Sequence, residues 1–315
     1  MEYRVLGQTG ITVSRLCFGA LTIGPLQAQL SVAEGAKVIQ RALDGGVNFI
    51  DTAQYYQTYP YIREGIKGKK HQVVVASKSY AYTAKDMEQA LKQAMAGIDR
   101  DYIDIMLLHE QESLLTVKGH WEAVEYLLKA KEQGLVRAIG LSTHMVAGVK
   151  AALQVPELEV IHPMVNFRGV GISDGTVEDM LGAIQEAKAV GKGIYSMKPL
   201  GGGNLIEHYQ PAMEFVLGLE TVDAIAMGMK SVSEVDYNLR VFRGQVIPLE
   251  LQQEVQQIPR QLHIEEWCTG CGQCVARCHS QALQLQGGKA QVNPDQCLRC
   301  GYCGPVCPEF CIKII

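Results

Sequence analysis

Short apolar runs alternate with longer amphipathic stretches along most of the chain. Eight apolar runs predict β-strands near residues 15–21, 47–51, 73–78, 102–108, 136–141, 160–166, 193–198 and 222–228. The stretches between them carry apolar residues at the spacing of one helix face. Eight strands, each followed by a helix, favour a closed (β/α)8 TIM barrel. An open doubly wound sheet is the alternative, but no G-x-G-x-x-G motif follows the first strand.

Turn and capping residues mark where these elements begin and end. The turn residues Gln8-Thr9-Gly10 separate two short strand-like segments, which predicts an N-terminal β-hairpin. Ser31 and Glu34 have the spacing of a capping box, and so do Thr176 and Asp179. Helices are therefore expected to begin just after Ser31 and Thr176.

Composition and charge describe an ordinary globular protein. Of its 315 residues, 47% are hydrophobic and 20% are charged, which allows a large core. The formal net charge of −4 provides no basic field, so nucleic acid is not an expected partner. No apolar run approaches the ~20 residues of a membrane-spanning helix, and the first residues lack a signal peptide's apolar core. We therefore expect a cytoplasmic protein with no membrane span.

Cysteine is concentrated in one part of the chain. Only Cys17 of the ten cysteines precedes residue 268, and we expect it to pack inside the barrel. A glutamine-rich stretch at 245–262 predicts a helical connector, and the composition then changes abruptly at Trp267-Cys268. We therefore expect two domains, a barrel with its connector over 1–262 and a small domain over 263–315.

The cysteines of the small domain follow one spacing twice. The pattern C-x2-C-x2-C-x3-C occurs at Cys268, Cys271, Cys274 and Cys278, and again at Cys297, Cys300, Cys303 and Cys307. This resembles bacterial two-cluster ferredoxins, in which the fourth cysteine of each run binds the other cluster. The resemblance implies two [4Fe–4S] clusters, one held by Cys268, Cys271, Cys274 and Cys307, the other by Cys297, Cys300, Cys303 and Cys278. Two zinc ribbons are the alternative, although their paired knuckles would stand farther apart.

Ionisable side chains stand at the ends of three successive predicted strands. Asp51 and Lys78 each end a strand, His109 follows the next one, and Tyr56 lies five residues after Asp51. Because parallel strands end at one edge of a sheet, these four groups are expected to form a proton-transfer site. The alternative is a structural ion pair between Asp51 and Lys78, with Tyr56 as a packing residue. His144 is expected to start a helix rather than to border the site.

Three segments resemble the aldo/keto reductase superfamily. They are Tyr3-Arg4-Val5-Leu6-Gly7 with Thr9-Gly10 and Val13-Ser14, then Ala42-Leu43-Asp44-Gly45-Gly46-Val47-Asn48-Phe49-Ile50-Asp51-Thr52-Ala53, and Met197-Lys198-Pro199-Leu200-Gly201-Gly202-Gly203. The resemblance implies a (β/α)8 barrel that reduces aldehydes or ketones with NAD(P)H. It also implies that Asp51, Tyr56, Lys78 and His109 form the catalytic tetrad. Tyr56 would donate the proton, the ammonium of Lys78 would lower the pKa of Tyr56, and His109 would position the carbonyl.

The same resemblance implies a nicotinamide site. The expected cofactor-binding residues are Ser142, Thr143, His162, Met197, Leu200, Gly202, Gly228, Lys230 and Asn238. Thr143 stands in place of the family's asparagine and His162 in place of its glutamine. Glu234 lies about where an arginine commonly binds the 2′-phosphate. NADP(H) is the expected cofactor, and NAD(H) stays open.

The combined expectation is an oxidoreductase with two kinds of redox group. We expect NAD(P)H-linked reduction of a small-molecule carbonyl, with the two clusters exchanging electrons with a partner protein or with the active site. The alternative is a catalytically altered barrel that serves as the scaffold of an iron–sulfur electron-transfer protein. Hydride transfer moves two electrons and a [4Fe–4S] cluster moves one, so a direct link would need a mediator, and no flavin fingerprint is present.

Overall fold

The computed structural model describes residues 1–315 and begins with an antiparallel hairpin. Strand β1 (Tyr3–Val5) pairs with β2 (Thr12–Ser14), as the turn residues predict. Leu6 and Ile11, in the loop between these strands, are buried in the same apolar cluster as barrel residues such as Phe49. The backbone N–H of Gln8 donates to the carbonyl of Gly191, just before a barrel strand begins. The hairpin therefore covers the end of the barrel where the strands start.

Eight parallel strands follow and form a closed barrel. They are β3 (Leu16–Gly19), β4 (Phe49–Asp51), β5 (Val74–Ser79), β6 (Ile103–Leu108), β7 (Val136–Thr143), β8 (Val160–Pro163), β9 (Gly193–Met197) and β10 (Ala224–Gly228). Each strand pairs with the next along the chain, and β10 pairs with β3 to close the ring. The predicted (β/α)8 barrel is confirmed and the open sheet is wrong.

Amphipathic helices surround the barrel. They are α1 (Val32–Asp44), α2 (Tyr59–Gly65), α3 (Ala84–Ile98), α4 (Leu114–Gly119), α5 (Trp121–Glu132), α6 (Val146–Leu153), α7 (Val177–Ala189), α8 (Tyr209–Leu217), α9 (Val232–Phe242) and α10 (Leu249–Gln257). The capping boxes at Ser31 and Thr176 are both present. A cluster of 53 buried residues fills the layer between helices and strands, and Cys17 is fully buried inside the barrel, as expected.

The rest of the chain forms a small domain with two short sheets. Strand β11 (Leu262–Ile264) pairs with β14 (Ile312–Ile314), and β12 (Leu283–Gln286) pairs with β13 (Lys289–Val292). Between them lies helix α11 (Gln273–Arg277). The domain boundary expected between residues 262 and 263 falls within β11, and the division stays a prediction.

The small domain rests on the loop that follows β9. The backbone N–H of Ile314 donates to the carbonyl of Gly202 (3.0 Å), and the side-chain amide of Asn204 donates to the carbonyl of Ile312 (2.9 Å). A Cβ on Gly203 would lie 2.0 Å from the carbonyl oxygen of Ile314, so only glycine allows this approach. The helices of the chain include none long and apolar enough to cross a membrane.

Candidate active site

Asp51 and Lys78 form a buried ion pair at the carboxyl ends of β4 and β5. The ammonium of Lys78 donates to both carboxylate oxygens of Asp51 (2.7 Å each) and to the carbonyl of Thr52 (2.8 Å). These three contacts use all three N–H groups of the lysine. The pair is therefore fixed in position and its charges largely cancel.

A buried tyrosine that the sequence analysis missed completes the environment of Asp51. The hydroxyl of Tyr195, from β9, donates to Asp51 Oδ1 at 3.0 Å. His162 stacks on the Tyr195 ring (3.9 Å between centroids), and its Nε2 lies 3.6 Å from the same oxygen. The only signal in the sequence was a tyrosine within an apolar strand, which is usually a packing residue.

Tyr56 and His109 lie side by side above this ion pair. Their ring centroids are 5.6 Å apart in an edge-to-face arrangement, and the Lys78 ammonium is 5.0 Å from the Tyr56 centroid. Tyr80 stacks on the other face of His109 at 4.3 Å. Tyr55, the neighbouring candidate, is 46% exposed, whereas Tyr56 is half-buried. The structure thus brings all four tetrad residues together.

The expected lowering of the Tyr56 pKa is wrong. Burial raises the pKa of Tyr56 well above its usual value, and the Asp51 carboxylate raises it further. The ammonium of Lys78 donates its hydrogen bonds to Asp51 and Thr52, so it has none left for the phenol of Tyr56. Tyr56 consequently holds its proton throughout the neutral pH range.

His109 is held in its neutral form. Burial lowers the pKa of His109 well below its usual value, and the positive charges of Lys78 and Lys198 lower it further. Its Nδ1 is buried without a hydrogen-bond partner. A neutral imidazole has one N–H to donate, so His109 can hydrogen-bond a ligand oxygen in the site.

A cavity of about 1310 Å³ opens at the carboxyl ends of the strands. Three tetrad residues line it, namely Asp51, Tyr56 and His109. Seven of the nine expected cofactor residues line it as well: His162, Met197, Leu200, Gly202, Gly228, Lys230 and Asn238. One cavity therefore connects the proton-transfer groups with the glycine-rich loop and the start of α9.

Ser142 and Thr143 are buried but do not line this cavity. The hydroxyl of Ser142 accepts a hydrogen bond from the Glu110 N–H (2.9 Å). The hydroxyl of Thr143 accepts from the N–H of Met145 (2.9 Å) and donates to its carbonyl (3.2 Å). Both hydroxyls are satisfied by local backbone groups.

The far end of the cavity carries two cations. The ammonium of Lys230 donates to the carbonyl of Pro259 (2.8 Å), and Arg260 forms an ion pair with Glu234 (3.0 Å). Arg260 belongs to the connector, so the sequence analysis did not assign it to the site. A guanidinium therefore does stand beside Glu234, although it comes from a distant part of the chain.

His144 borders the cavity, which corrects the expectation that it merely starts a helix. Its Nε2 accepts a hydrogen bond from the Lys198 ammonium (2.8 Å), and its ring lies 6.0 Å from that of Phe310. Phe310 comes from the small domain. No pattern in the sequence links His144 to a residue so far along the chain.

The cysteines of the small domain lie in groups. Cys268, Cys271, Cys274 and Cys307, the ligands expected for one cluster, line a single small cavity together with Cys311. No three side chains converge closely enough to hold a single metal ion, but a four-iron cluster spreads its ligands more widely. Cys297 and Cys300 lie close to Cys303, whose pKa is raised to about 12 by burial and by their charge.

Backbone N–H groups point at several of the expected ligand sulfurs. Cys268 Sγ accepts from Ala290 N (3.4 Å), and Cys278 Sγ accepts from Ala282 N (3.3 Å). Such bonds stabilise thiolates and tune iron–sulfur clusters. The residues present therefore fit an iron–sulfur group.

Comparisons with known proteins agree with this geometry. Residues 15–215 match the model of the aldo/keto reductase family, and residues 261–308 match that of a 4Fe-4S dicluster domain. L-galactose dehydrogenase of Arabidopsis thaliana is 23% identical over 286 residues, 76% of this chain and 87% of that protein. Aldo-keto reductase YhdN of Bacillus subtilis is 28% identical over 184 residues, 53% of this chain and 54% of that protein.

The barrel also resembles solved structures. Aldo-keto reductase AKR11C1 from Bacillus halodurans, in its holo form, superposes with a TM-score of 0.65 at 19% identity, over 82% of this chain and 96% of that one. At this identity the likeness concerns the fold alone. Since the family model spans well over half of the residues, this chain belongs to the aldo/keto reductase family, as an oxidoreductase of that type followed by a 4Fe-4S dicluster domain.

Proposed function

We propose that this protein reduces an aldehyde or ketone to an alcohol with NAD(P)H. The observation that carries the proposal is the meeting of Tyr56, His109 and the Asp51–Lys78 pair at one end of a cavity. Gly202 and Lys230 line the same cavity, and we propose that they bind the dinucleotide.

The chain's own residues supply the proton and the hydrogen bonds. A bound nicotinamide would deliver hydride to the carbonyl carbon, and negative charge would then develop on the oxygen. Tyr56 retains its proton because its pKa is raised, so it is available to donate to that oxygen. Neutral His109 donates a second hydrogen bond and fixes the carbonyl. The Asp51–Lys78 pair holds the floor of the site rigid.

The far end of the cavity supports a phosphorylated cofactor. Lys230 and Arg260 both line it, and guanidinium and ammonium groups are the usual partners of phosphate. Glu234 lies between them, and a carboxylate here can instead accept a ribose hydroxyl. We propose NADP(H), with NAD(H) as the alternative.

We propose further that the dicluster domain exchanges single electrons with a partner protein. Cys271 and Cys300 are exposed, which places part of the expected cluster sites near the surface. A four-iron cluster transfers electrons singly, so it suits a protein partner rather than direct hydride chemistry.

The names of two relatives suggest which carbonyl compounds to test as substrates. One matched relative is named L-galactose dehydrogenase and another 6-dehydroglucose reductase, and both names indicate sugars. We therefore include sugar-derived carbonyl compounds beside simple aldehydes when turnover is measured.

The decisive test is Tyr56→Phe. Loss of the general acid should reduce carbonyl turnover by ~10²-fold or more, with cofactor affinity nearly unchanged. Steady-state kinetics and equilibrium titration with NADPH measure the two effects. Tyr55→Phe, one position away on an exposed side chain, is the matched control and should retain activity. If the losses are exchanged between the two variants, Tyr55 is the donor and our assignment fails.

A second candidate function rests on Ser142 and Thr143. Because their hydroxyls are bonded to the backbone away from the cavity, a nicotinamide amide would lack the partners that the family provides. The barrel would then be the scaffold of an iron–sulfur electron carrier. Anaerobic titration with NADPH and NADH distinguishes the two, since a carrier would show reducible clusters with no nicotinamide binding.

A further inference from the structure

The small domain forms part of the wall of the catalytic cavity. Phe310, two residues before β14, and Lys313, inside β14, line the same cavity as His109. Phe310 is buried against Met197 in an apolar cluster. A Cβ on Gly202 would lie 2.7 Å from Lys313 Cδ, so the lysine stem packs directly on the glycine-rich loop. Two domains therefore build one site.

Two ammonium groups meet at this wall. The Nζ of Lys198 lies 4.9 Å from the centre of the Phe310 ring, and that of Lys313 lies 3.0 Å from it. Lys313 is only 5% exposed. Neither lysine takes part in an ion pair, although buried cations in proteins are normally paired. Neither amino group therefore has a carboxylate partner at ion-pair distance.

Most of their hydrogen-bonding capacity is also free. Lys198 donates once, to His144, and Lys313 donates once, to the carbonyl of Phe310. An ammonium has three N–H groups, so each lysine has two left. The nearest carboxylates are engaged elsewhere, Glu110 by the hydroxyl of Tyr80 (2.5 Å) and Glu265 by His263 (3.1 Å).

Burial without an ion-pair partner lowers the pKa of both lysines. Burial lowers the pKa of Lys198 to about 8, although Glu110 and Glu265 oppose the shift. Burial also lowers the pKa of Lys313 well below its usual value, and the charge of Lys198 lowers it further. An anion placed between the two lysines would reverse both effects, because it favours the charged forms.

We propose that Lys198 and Lys313 bind the carboxylate of the carbonyl substrate, so that the substrate class is carbonyl compounds that carry an acid group. The site lies near His109. Lys198 bonds His144, and His144 Nε2 is 3.5 Å from the carboxylate of Glu110, the residue that follows His109. The cations suited to a cofactor phosphate, Lys230 and Arg260, have other partners, namely the carbonyl of Pro259 and the carboxylate of Glu234. The identification of the bound anion as a substrate rests on the proposed function, whereas anion binding by these lysines does not require turnover.

The first test measures binding without chemistry. Malonate and its uncharged analogue malonamide are titrated into the full-length protein with its clusters, under anaerobic conditions, by calorimetry. We expect malonate to bind and malonamide not to bind. Lys198→Met and Lys313→Met should each weaken malonate binding by about tenfold or more, the scale of a lost charged hydrogen bond.

Two further variants control this test. Lys129→Met removes an exposed lysine of α5 and should leave malonate binding unchanged. Lys313→Arg keeps the charge and should restore binding, even if Lys313→Met perturbs the packing of β14. Lys198→Met lies in the barrel and tests the site independently of the small domain. Unchanged malonate affinity in both methionine variants overturns the proposal.

The second test separates the two possible sources of the anion. Turnover of 4-carboxybenzaldehyde is compared with that of benzaldehyde, and NADPH affinity is measured in parallel. In Lys198→Met and Lys313→Met we expect kcat/KM for 4-carboxybenzaldehyde to fall by about tenfold and kcat/KM for benzaldehyde to stay unchanged. Weakened NADPH binding with unchanged malonate binding would assign the lysines to the cofactor pyrophosphate and overturn the proposal. Absence of turnover with either aldehyde would refute the proposed function while malonate binding still decides this inference.

Discussion

At the scale of single residues, the buried carboxylate of Asp51 organises the floor of the site. It accepts two hydrogen bonds from Lys78 and one from Tyr195. Because this carboxylate and the ammonium neutralise each other, little positive charge is left to act on Tyr56. Burial therefore dominates the pKa of Tyr56 and raises it, so the phenol keeps its proton at neutral pH.

The neutral state of His109 leads to a prediction about pH. Its pKa lies well below the usual 6.5, so the imidazole should remain uncharged as the pH falls through that value. The groups around it are Lys78, Lys198, His162, Tyr56 and Tyr80. We expect kcat/KM for carbonyl reduction to show no inflection near 6.5. An inflection there in the wild type that disappears in His109→Gln would contradict this assignment.

How far the site could be predicted depends on whether a residue's role is local. The positions of Asp51, Lys78 and His109 could be predicted because each lies at or just after the end of a strand, and the apolar pattern of that strand is in the neighbouring residues. Tyr195 was not, since its hydroxyl bonds a carboxylate 144 positions away. The raised pKa of Tyr56 was missed for a related reason, because the sequence does not reveal that all three N–H groups of Lys78 are already used.

At the scale of elements, the loop after β9 joins the two domains. Its glycines Gly201, Gly202 and Gly203 all have positive φ angles, of 56°, 65° and 86°. Strand β14 lies against this loop through the bond from Ile314 N to Gly202 O. The loop thus serves the cavity on one side and the small domain on the other. The strands and this loop could be predicted from pattern, but its partner strand could not.

Gly203→Ala should break this contact. The added Cβ would meet the Ile314 carbonyl at 2.0 Å, and the φ of +86° disfavours alanine. We expect the free energy of unfolding to fall by about 3 kcal/mol, from left-handed strain and a steric clash together. Gly134→Ala is the control, because its φ of +76° is similar and nothing lies within 4 Å of its added Cβ.

Urea denaturation of the full chain measures both variants. We expect Gly134→Ala to lose only the strain contribution, about 1 kcal/mol. Limited proteolysis should in addition cleave Gly203→Ala near residue 261, where the connector meets β11. Equal losses in the two variants would mean that the domain contact contributes nothing to stability.

At the scale of the whole molecule, the dicluster domain forms part of the wall of the candidate active-site cavity. Its strands β11 and β14 pair with each other, and the segment around β14 carries Phe310 and Lys313 into the wall. Its core is small and includes Cys274, Cys303 and Cys311 among its seven buried residues. We expect so small a core to depend on bound clusters for folding, which would link the state of the clusters to the shape of the cavity.

The cluster content tests this view directly. Protein purified without oxygen should contain about eight iron atoms and eight sulfides per chain, as two four-iron clusters require. Removal of the clusters by a chelator under oxidising conditions should also abolish malonate binding, since the wall that holds Lys313 would lose its order. About four iron atoms, or zinc in place of iron, would refute the expected pair of clusters. Intact malonate binding after cluster loss would refute the link between them.

The position of Lys313 in the chain has a consequence for biosynthesis. Every strand and helix of the barrel precedes Lys313 in the chain, so the ribosome makes the barrel segments before the wall segment. Until that segment has been made and ordered, we expect the cavity to stay open on that side and to lack the amino group of Lys313. If Lys198 and Lys313 bind the substrate carboxylate as proposed, newly made chains should gain activity toward acidic substrates only after the clusters have been inserted.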